Sequence, residues 1–427
     1  MTRSVPLALA VLPVLALLAG APLEAGENWP QFRGPTGDGH SDATGLPLRW
    51  SETENVRWKT AIHGRGWSSP VVWGGQIWLT TATLDGKKLY AVQVDRESGE
   101  MARDIRLFDV ASPREKHKLN SYASPTPVIE EGRLYVHFGS YGTACLDTKT
   151  GDRVWERRDL PCNHWRGPGS SPILFGRLVI VHFDGFDQQY VVALDKATGK
   201  TVWRTDRSND YGTDDGDFKK AYSTPLVIQA AGRTQLISPG SRATTAYDPR
   251  TGKELWQVRF REFSSTARPL YGHGLVFINT GFGKARLLAV RPDGEGDVSD
   301  SHIAWTLRKG VGSKPSPLLV GDLLFLVDDG GVASCVEART GKHVWTERLG
   351  GNFSASPVQA EGRIYFSSHE GVTTVIRPRR EFEKLAENQL DDGFMSSPAI
   401  AGRALFLRTR SHLYRIERPD EKAAGGR

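Results

Sequence analysis

A proline preceded by small hydroxyl or alanine residues and followed by an apolar run recurs eight times. The aligned prolines are Pro70, Pro127, Pro172, Pro225, Pro269, Pro317, Pro357 and Pro398. Their spacings of 57, 45, 53, 44, 48, 40 and 41 residues average about 47, within the ~40–50 residues of one four-stranded propeller blade. WSSPVVWGGQIWL (Trp67–Leu79), SSPILFGRLVIV (Ser170–Val181) and SASPVQAEGRIYF (Ser354–Phe366) show the pattern. Each unit alone would leave an apolar face uncovered, so the repeats have to be stacked against one another.

A second motif, apolar-Asp-x-x-(Thr/Ser)-Gly-x-x-x-Trp, closes most units. Its copies are CLDTKTGDRVW, ALDKATGKTVW, AYDPRTGKELW and CVEARTGKHVW, ending on Trp155, Trp203, Trp256 and Trp345. This reads as a strand, a tight turn and another strand, with Asp bonding the turn backbone and Gly supplying a positive φ. The tryptophans read as packing residues between blades. The first copy, Gln93–Arg103, ends on Arg where Trp belongs; the fifth carries an insertion and still lands on Trp305.

The eighth unit ends at HLYRIE (His412–Glu417) without a Trp-bearing strand, while NVRWKT (Asn55–Thr60) carries Trp58 at the other end of the chain. An N-terminal strand completing the last blade would remove the open edge of the ring. The expected fold is therefore all-β: an eight-bladed propeller of four-stranded antiparallel blades over residues 55–418. An entry segment, 26–54, precedes it and a polar tail, 419–427, follows. The only helical pattern is Glu381–Gln389.

Hydrophobic residues at 39% and charged residues at 24% exclude a disordered or fibrous chain. Residues 1–25 combine Arg3, an uncharged run from Val5 to Ala19 and small residues at Ala19, Gly20, Ala21 and Ala25, the pattern of a cleaved export signal. With no Cys before Cys145 there is no lipid attachment site. The expectation is a periplasmic or secreted monomer without a membrane-spanning segment. A net charge of only +6 argues against nucleic acid as partner. Cys145, Cys162 and Cys335 have no metal-site spacing. Cys145 and Cys162 are able to pair in an oxidising compartment, or Cys145 and Cys335 fill core positions inside strands, the reading favoured here.

The two motifs together resemble the pyrroloquinoline quinone (PQQ)-type repeat, over about residues 50–417. That repeat builds the propellers of quinoprotein alcohol dehydrogenases and of the outer-membrane assembly lipoprotein BamB. Asn28–Ser41 is similar to the entry element of secreted bacterial proteins with such propellers. The resemblance implies the fold, and a fold by itself does not imply a chemistry. Quinoprotein dehydrogenases carry a vicinal disulfide, a Ca²⁺ held by Glu, Asn and Asp, and a catalytic Asp. No two cysteines here are adjacent, and the CxxCH, HExxH and GxSxG patterns are missing from the sequence. The Asp-rich insert 206–220 does not follow an EF-hand spacing.

The loops that enter each innermost strand gather at one mouth of a propeller channel. They bring Arg65, His117, Lys118, His164, Arg166, Lys219, Lys220 and Lys314 together with Trp67, Tyr122, Trp165, Tyr222 and Phe353. A basic mouth lined by aromatics suits an acidic ligand; aromatics at blade period equally suit interblade packing. The sequence thus points to a non-enzymatic binding or assembly scaffold for a protein partner or acidic glycan, with no cofactor. The alternative is a catalytic propeller, either a degenerate PQQ- and Ca²⁺-dependent dehydrogenase or an enzyme acting on anionic carbohydrate.

Overall fold

A computed structural model describes residues 26–419; the expected export signal and nearly all of the expected tail lie outside them. Eight antiparallel sheets of four strands each form the blades, in two cases with one added parallel strand. Blades 1 to 7 follow chain order from Val71 to Gln389. Blade 8 is assembled from both ends, with Val56–Ala61 pairing antiparallel against His412–Ile416 and Trp58 opposite Arg415. Ring closure therefore rests on main-chain hydrogen bonds rather than on a covalent link.

The residue before each aligned proline builds the inner wall. The backbone N–H of Ser69 donates to Thr126 Oγ1, Thr126 to Ser171 Oγ, and Ser171 to Thr224 Oγ1. The chain of bonds resumes from Arg268 to Ser316, Ser316 to Ser356, Ser356 to Ser397 and Ser397 to Ser69, all within 2.9–3.1 Å. Each hydroxyl thus satisfies a buried N–H of the blade before it, and each bond is worth about 1 kcal/mol net. In blade 5 this position is Arg268, which offers no acceptor, and here the ring of bonds is interrupted.

The outer wall is built by the tryptophans. In all eight blades the register slips by one residue beside the Trp position of the fourth strand, a β-bulge that turns the ring outward. The indole N–H of Trp58, Trp155, Trp203, Trp305 and Trp345 then donates to a carbonyl in the turn of the next blade. Trp256 reaches its neighbour through Gln235, whose amide donates on to Pro292 O. Arg103 takes the Trp position of blade 1, donating to Lys149 O and lying against Gly151. Glycine is required under these rings: Gly199 has φ +70°, and a Cβ there would sit 2.7 Å from Trp155.

The expectation of a helix at Glu381–Gln389 is corrected. Lys384–Gln389 is the fourth strand of blade 7, with Ala386 opposite Val375 at the bulge. Its helix-forming Lys, Leu, Ala and Glu are overridden by the unpaired edge that Val372–Ile376 presents. Among the described residues the only helical element is the 3₁₀ turn Gly216–Phe218.

The entry segment runs across the channel. Trp29 exchanges backbone bonds with Val72 of blade 1, and Pro30 O accepts from Ile129 of blade 2. Farther along, His40–Ser41 pairs parallel with Gln359–Ala360 of blade 7. These contacts lie beyond the prolines along the innermost strands, so the segment closes the end of the channel away from the blade-entry loops. All three cysteines are free and buried, Cys145 and Cys335 inside strands, and burial raises the thiol pKa of each of those two to about 12.

Candidate functional site

In an antiparallel blade the loops entering the first strand and those joining the second to the third open on the same face. Between them lies a cavity of about 500 Å³ that narrows onto the hydroxyl ring, with Phe32 of the entry segment at its far end. Such a volume suits a small molecule or an inserted side chain.

Of the side chains expected at the mouth, Trp67, His117, Arg166, Lys220, Tyr222 and Lys314 line this cavity. Lys118 and Trp165 line an adjoining depression of about 240 Å³ with Glu115 and Lys116. The others line neither depression. Arg65 sits 6.0 Å over Trp67, and Lys219 faces Asp214 at 4.0 Å. Tyr122 packs beside Tyr141 with its hydroxyl donating to Arg114 O. His164 is buried beside Phe183, and Phe353 belongs to the apolar packing of blades 6 and 7.

The cations of the mouth are paired. Arg166 binds Asp217 through two bonds of 3.0 Å, and the buried Lys220 bonds the same carboxylate. Lys314 lies 3.1 Å from Asp329. Burial works to raise the Asp217 carboxyl, but the bonds from Arg166 and Lys220 prevail and hold its pKa below the ordinary value. Burial lowers the Lys220 ammonium in spite of that bond. Burial, and then Arg166, Lys118 and Lys220, push the His117 pKa down. Arg166 and Lys220 also lie 4.3 and 5.0 Å from the Trp165 ring, which braces the loop in the orientation that presents them.

Phe263, Phe282, Asp329 and Met395 also line the cavity and were not anticipated. Phe282 and Asp329 sit in loops joining second and third strands. Antiparallel topology places those loops at the mouth, and the turns NTGFGK and DDGG mark them in the sequence.

Beneath the cavity three arginines are buried without a carboxylate in hydrogen-bond contact. Arg268 donates to Pro225 O, Phe32 O and Gln31 Oε1; Arg33 donates to the carbonyls of Pro357, Asp38 and Pro317. Arg408 donates to Ser68 and Thr80. Burial lowers their pKa to about 9, about 10 and about 9 respectively, so all three are charged at neutral pH.

The fold family raises the question of PQQ with Ca²⁺. The two cavity carboxylates are each held by lysine or arginine, and the thiols are buried elsewhere. Among the described residues no cluster of three or more His, Cys, Asp or Glu is arranged to hold a metal ion. In the Asp-rich insert, Asp215 caps the 3₁₀ turn, Asp210 accepts from Gly212 N, and Asp217 belongs to the mouth. The donor set does not fit the calcium-bound quinone, and no reaction step is derived through it.

Comparison with known proteins agrees with the geometry. BamB of Shewanella oneidensis is 22% identical over 294 residues, covering 65% of this chain and 70% of that protein. A quinone-dependent 1-butanol dehydrogenase of Thauera butanivorans is 34% identical over 152 residues, but only 22% of its length is spanned. Among solved structures, BamB of Moraxella catarrhalis has a TM-score of 0.60 at 13% identity, covering 84% of this chain and 99% of that one. Quinohemoprotein alcohol dehydrogenase of Comamonas testosteroni has a TM-score of 0.66 at 12% identity, covering 92% and 81%. These structural likenesses concern the fold alone. The family model described as outer membrane protein assembly factor BamB matches residues 112–229 and 187–424, and the chain belongs to that family of PQQ-repeat propellers.

Proposed function

We propose that this propeller is a non-enzymatic docking platform of the bacterial envelope, holding a protein partner on the loop face of the ring. The observation that carries the reading is the rim of the cavity. Leu119 and Phe282 are 41% and 59% exposed there, beside cations whose geometry is fixed by Asp217 and Asp329. Large apolar side chains left in water around a concave, cation-bearing site are the chemistry of a protein contact. The partner segment would carry an apolar anchor flanked by acidic residues. Outer membrane protein assembly is what the name of the curated BamB relatives describes. The quinone-dependent dehydrogenase reading has weaker support, since its metal-ligand set finds no counterpart.

The test is site-specific photocrosslinking in cells from a probe at Phe282, compared with a probe at Val202 on the outer edge of blade 3, which is 48% exposed. A discrete adduct from Phe282 alone, lost in Leu119→Asp, is expected. Equal adducts from both positions, or an adduct from Val202 alone, would remove the loop face from the reading.

A further inference from the structure

We infer that the inner end of the cavity, beneath the rim, is a binding site for a small carboxylated sugar of uronic acid type. Ser69, Thr126, Ser171, Thr224 and Ser397 each use the hydroxyl oxygen to accept a backbone N–H. Among the described residues none of the five has an acceptor for its own proton, and all five line the cavity. They belong to consecutive blades, 8 and 1 to 4, and form an arc of O–H donors. The opposite wall differs: Ser356 spends its proton on Ser316, and blade 5 carries Arg268.

A hydroxyl on a cavity wall with no protein acceptor has its proton free for whatever fills the cavity, and a ligand rich in oxygen acceptors takes several such bonds at once. The charge of that ligand follows from its surroundings. Arg33, Arg268 and Arg408 lie behind the wall with no carboxylate bonded to them, and the one carboxylate acting on Arg33 and Arg268, that of Asp38, offsets only part of their combined field. In the cavity lining Arg166, Lys220 and Lys314 outnumber Asp217 and Asp329, with which they are paired, by one charge. The site therefore favours an anion, and a carboxylate accepts from several hydroxyls at once. Phe32, Tyr222 and Phe263 add flat apolar surface of the kind that covers the C–H face of a sugar ring. A volume of about 500 Å³ admits a disaccharide. Neither a neutral sugar nor a purely apolar ligand would use both the donor arc and the field.

The proposal rests on the cavity and not on the partner reading, and the experiment separates the two. The mature protein is titrated calorimetrically with digalacturonate, with its dimethyl ester, with PQQ and with the dipeptide Asp-Asp. Digalacturonate is expected to bind at least tenfold more tightly than each of the other three. Ser171→Ala and Thr126→Val, each removing one donor of the arc, are expected to weaken it at least fivefold. Ser316→Ala removes an N–H acceptor outside the cavity lining and also releases the Ser356 proton into the cavity, so it is expected to leave affinity within twofold or to raise it, which controls for simple loosening of the ring. Ser171→Ala and Thr126→Val are expected to leave the Phe282 partner adduct in place, so that the sugar-acid site and the partner face fail separately. Absence of heat at millimolar digalacturonate, equal binding of the ester, tighter binding of PQQ or Asp-Asp, or a loss in Ser316→Ala equal to that in Ser171→Ala would each overturn the sugar-acid site. Should Ser171→Ala fail to fold, Thr126→Val alone decides the donor arc.

Discussion

The two arcs of the channel wall are made from the same repeat and end in different states. From blade 8 through blade 4, the hydroxyl before each proline accepts one bond and keeps its proton. Across blades 5 to 7, Arg268 is spent on the entry segment, the Ser356 proton is spent on Ser316, and the Ser316 hydroxyl accepts two bonds outside the cavity lining. A symmetric scaffold becomes a one-sided site because an asymmetric strap crosses its far end. One substitution, Arg at position 268, both interrupts the ring and grips the strap.

The strongest expected perturbation of this contrast is acid. His137, His164 and His182 are buried in and beside blades 2 and 3, where burial holds their pKa at about 3, about 4 and well below the ordinary value. The unfolded chain takes up these protons near pH 6.5, so the stability they contribute is complete above that pH and is lost as pH falls toward 4. The slope is about 1.4 kcal/mol per pH unit for each histidine titrating. Urea unfolding between pH 7.5 and 4.5 should show this decline. Hydrogen exchange at pH 5 should open blades 2 and 3 before blades 5 to 7, and uniform opening would break the contrast.

Trp29→Ala should come next, at about 3–5 kcal/mol, because the indole is fully buried at the start of the strap. Its measure is the urea midpoint, together with protease cleavage near residues 30–45. Arg268→Met should cost about 2–3 kcal/mol by leaving Pro225 O and Phe32 O unpaired. A change below about 0.5 kcal/mol would show that the strap does not depend on it. Ser171→Ala and Ser316→Ala should each cost about 1–2 kcal/mol, since each strands one buried N–H, the Ser356 proton released by Ser316→Ala being free to turn into the cavity. Equal costs there, with unequal effects on the sugar acid, are what the contrast between the arcs requires. Arg103→Trp, which restores the repeat residue in blade 1, should change stability by less than about 1 kcal/mol, because Arg103 already occupies the same seat.

Much of the fold was legible because blade period and proline position are local signals repeated eight times, with Asp-Gly turns in most units. Closure through Trp58 was legible because one strand was missing at one end and supplied at the other. Lys384–Gln389 was not, since nothing in KLAENQ announces that an unpaired edge awaits it. At the mouth, six of the expected side chains line the cavity because they come from loops that sequence alignment of the repeats already superposes. Phe282 and Asp329 were missed because the second loop set carries no repeated motif, only proximity.

By itself, then, the sequence determined the period, the number of blades, the Trp latch between them and the placement of a hydroxyl before seven of the eight prolines. Those are properties of residues within one blade or its neighbour. The tertiary structure decided which hydroxyl protons stay free, which cations are neutralised, and which guanidinium groups are buried without a carboxylate. Such outcomes depend on partners hundreds of residues away, Arg33 with Pro317 and Pro357 among them, and hydrogen-bond satisfaction is settled only when the whole ring has closed around its strap.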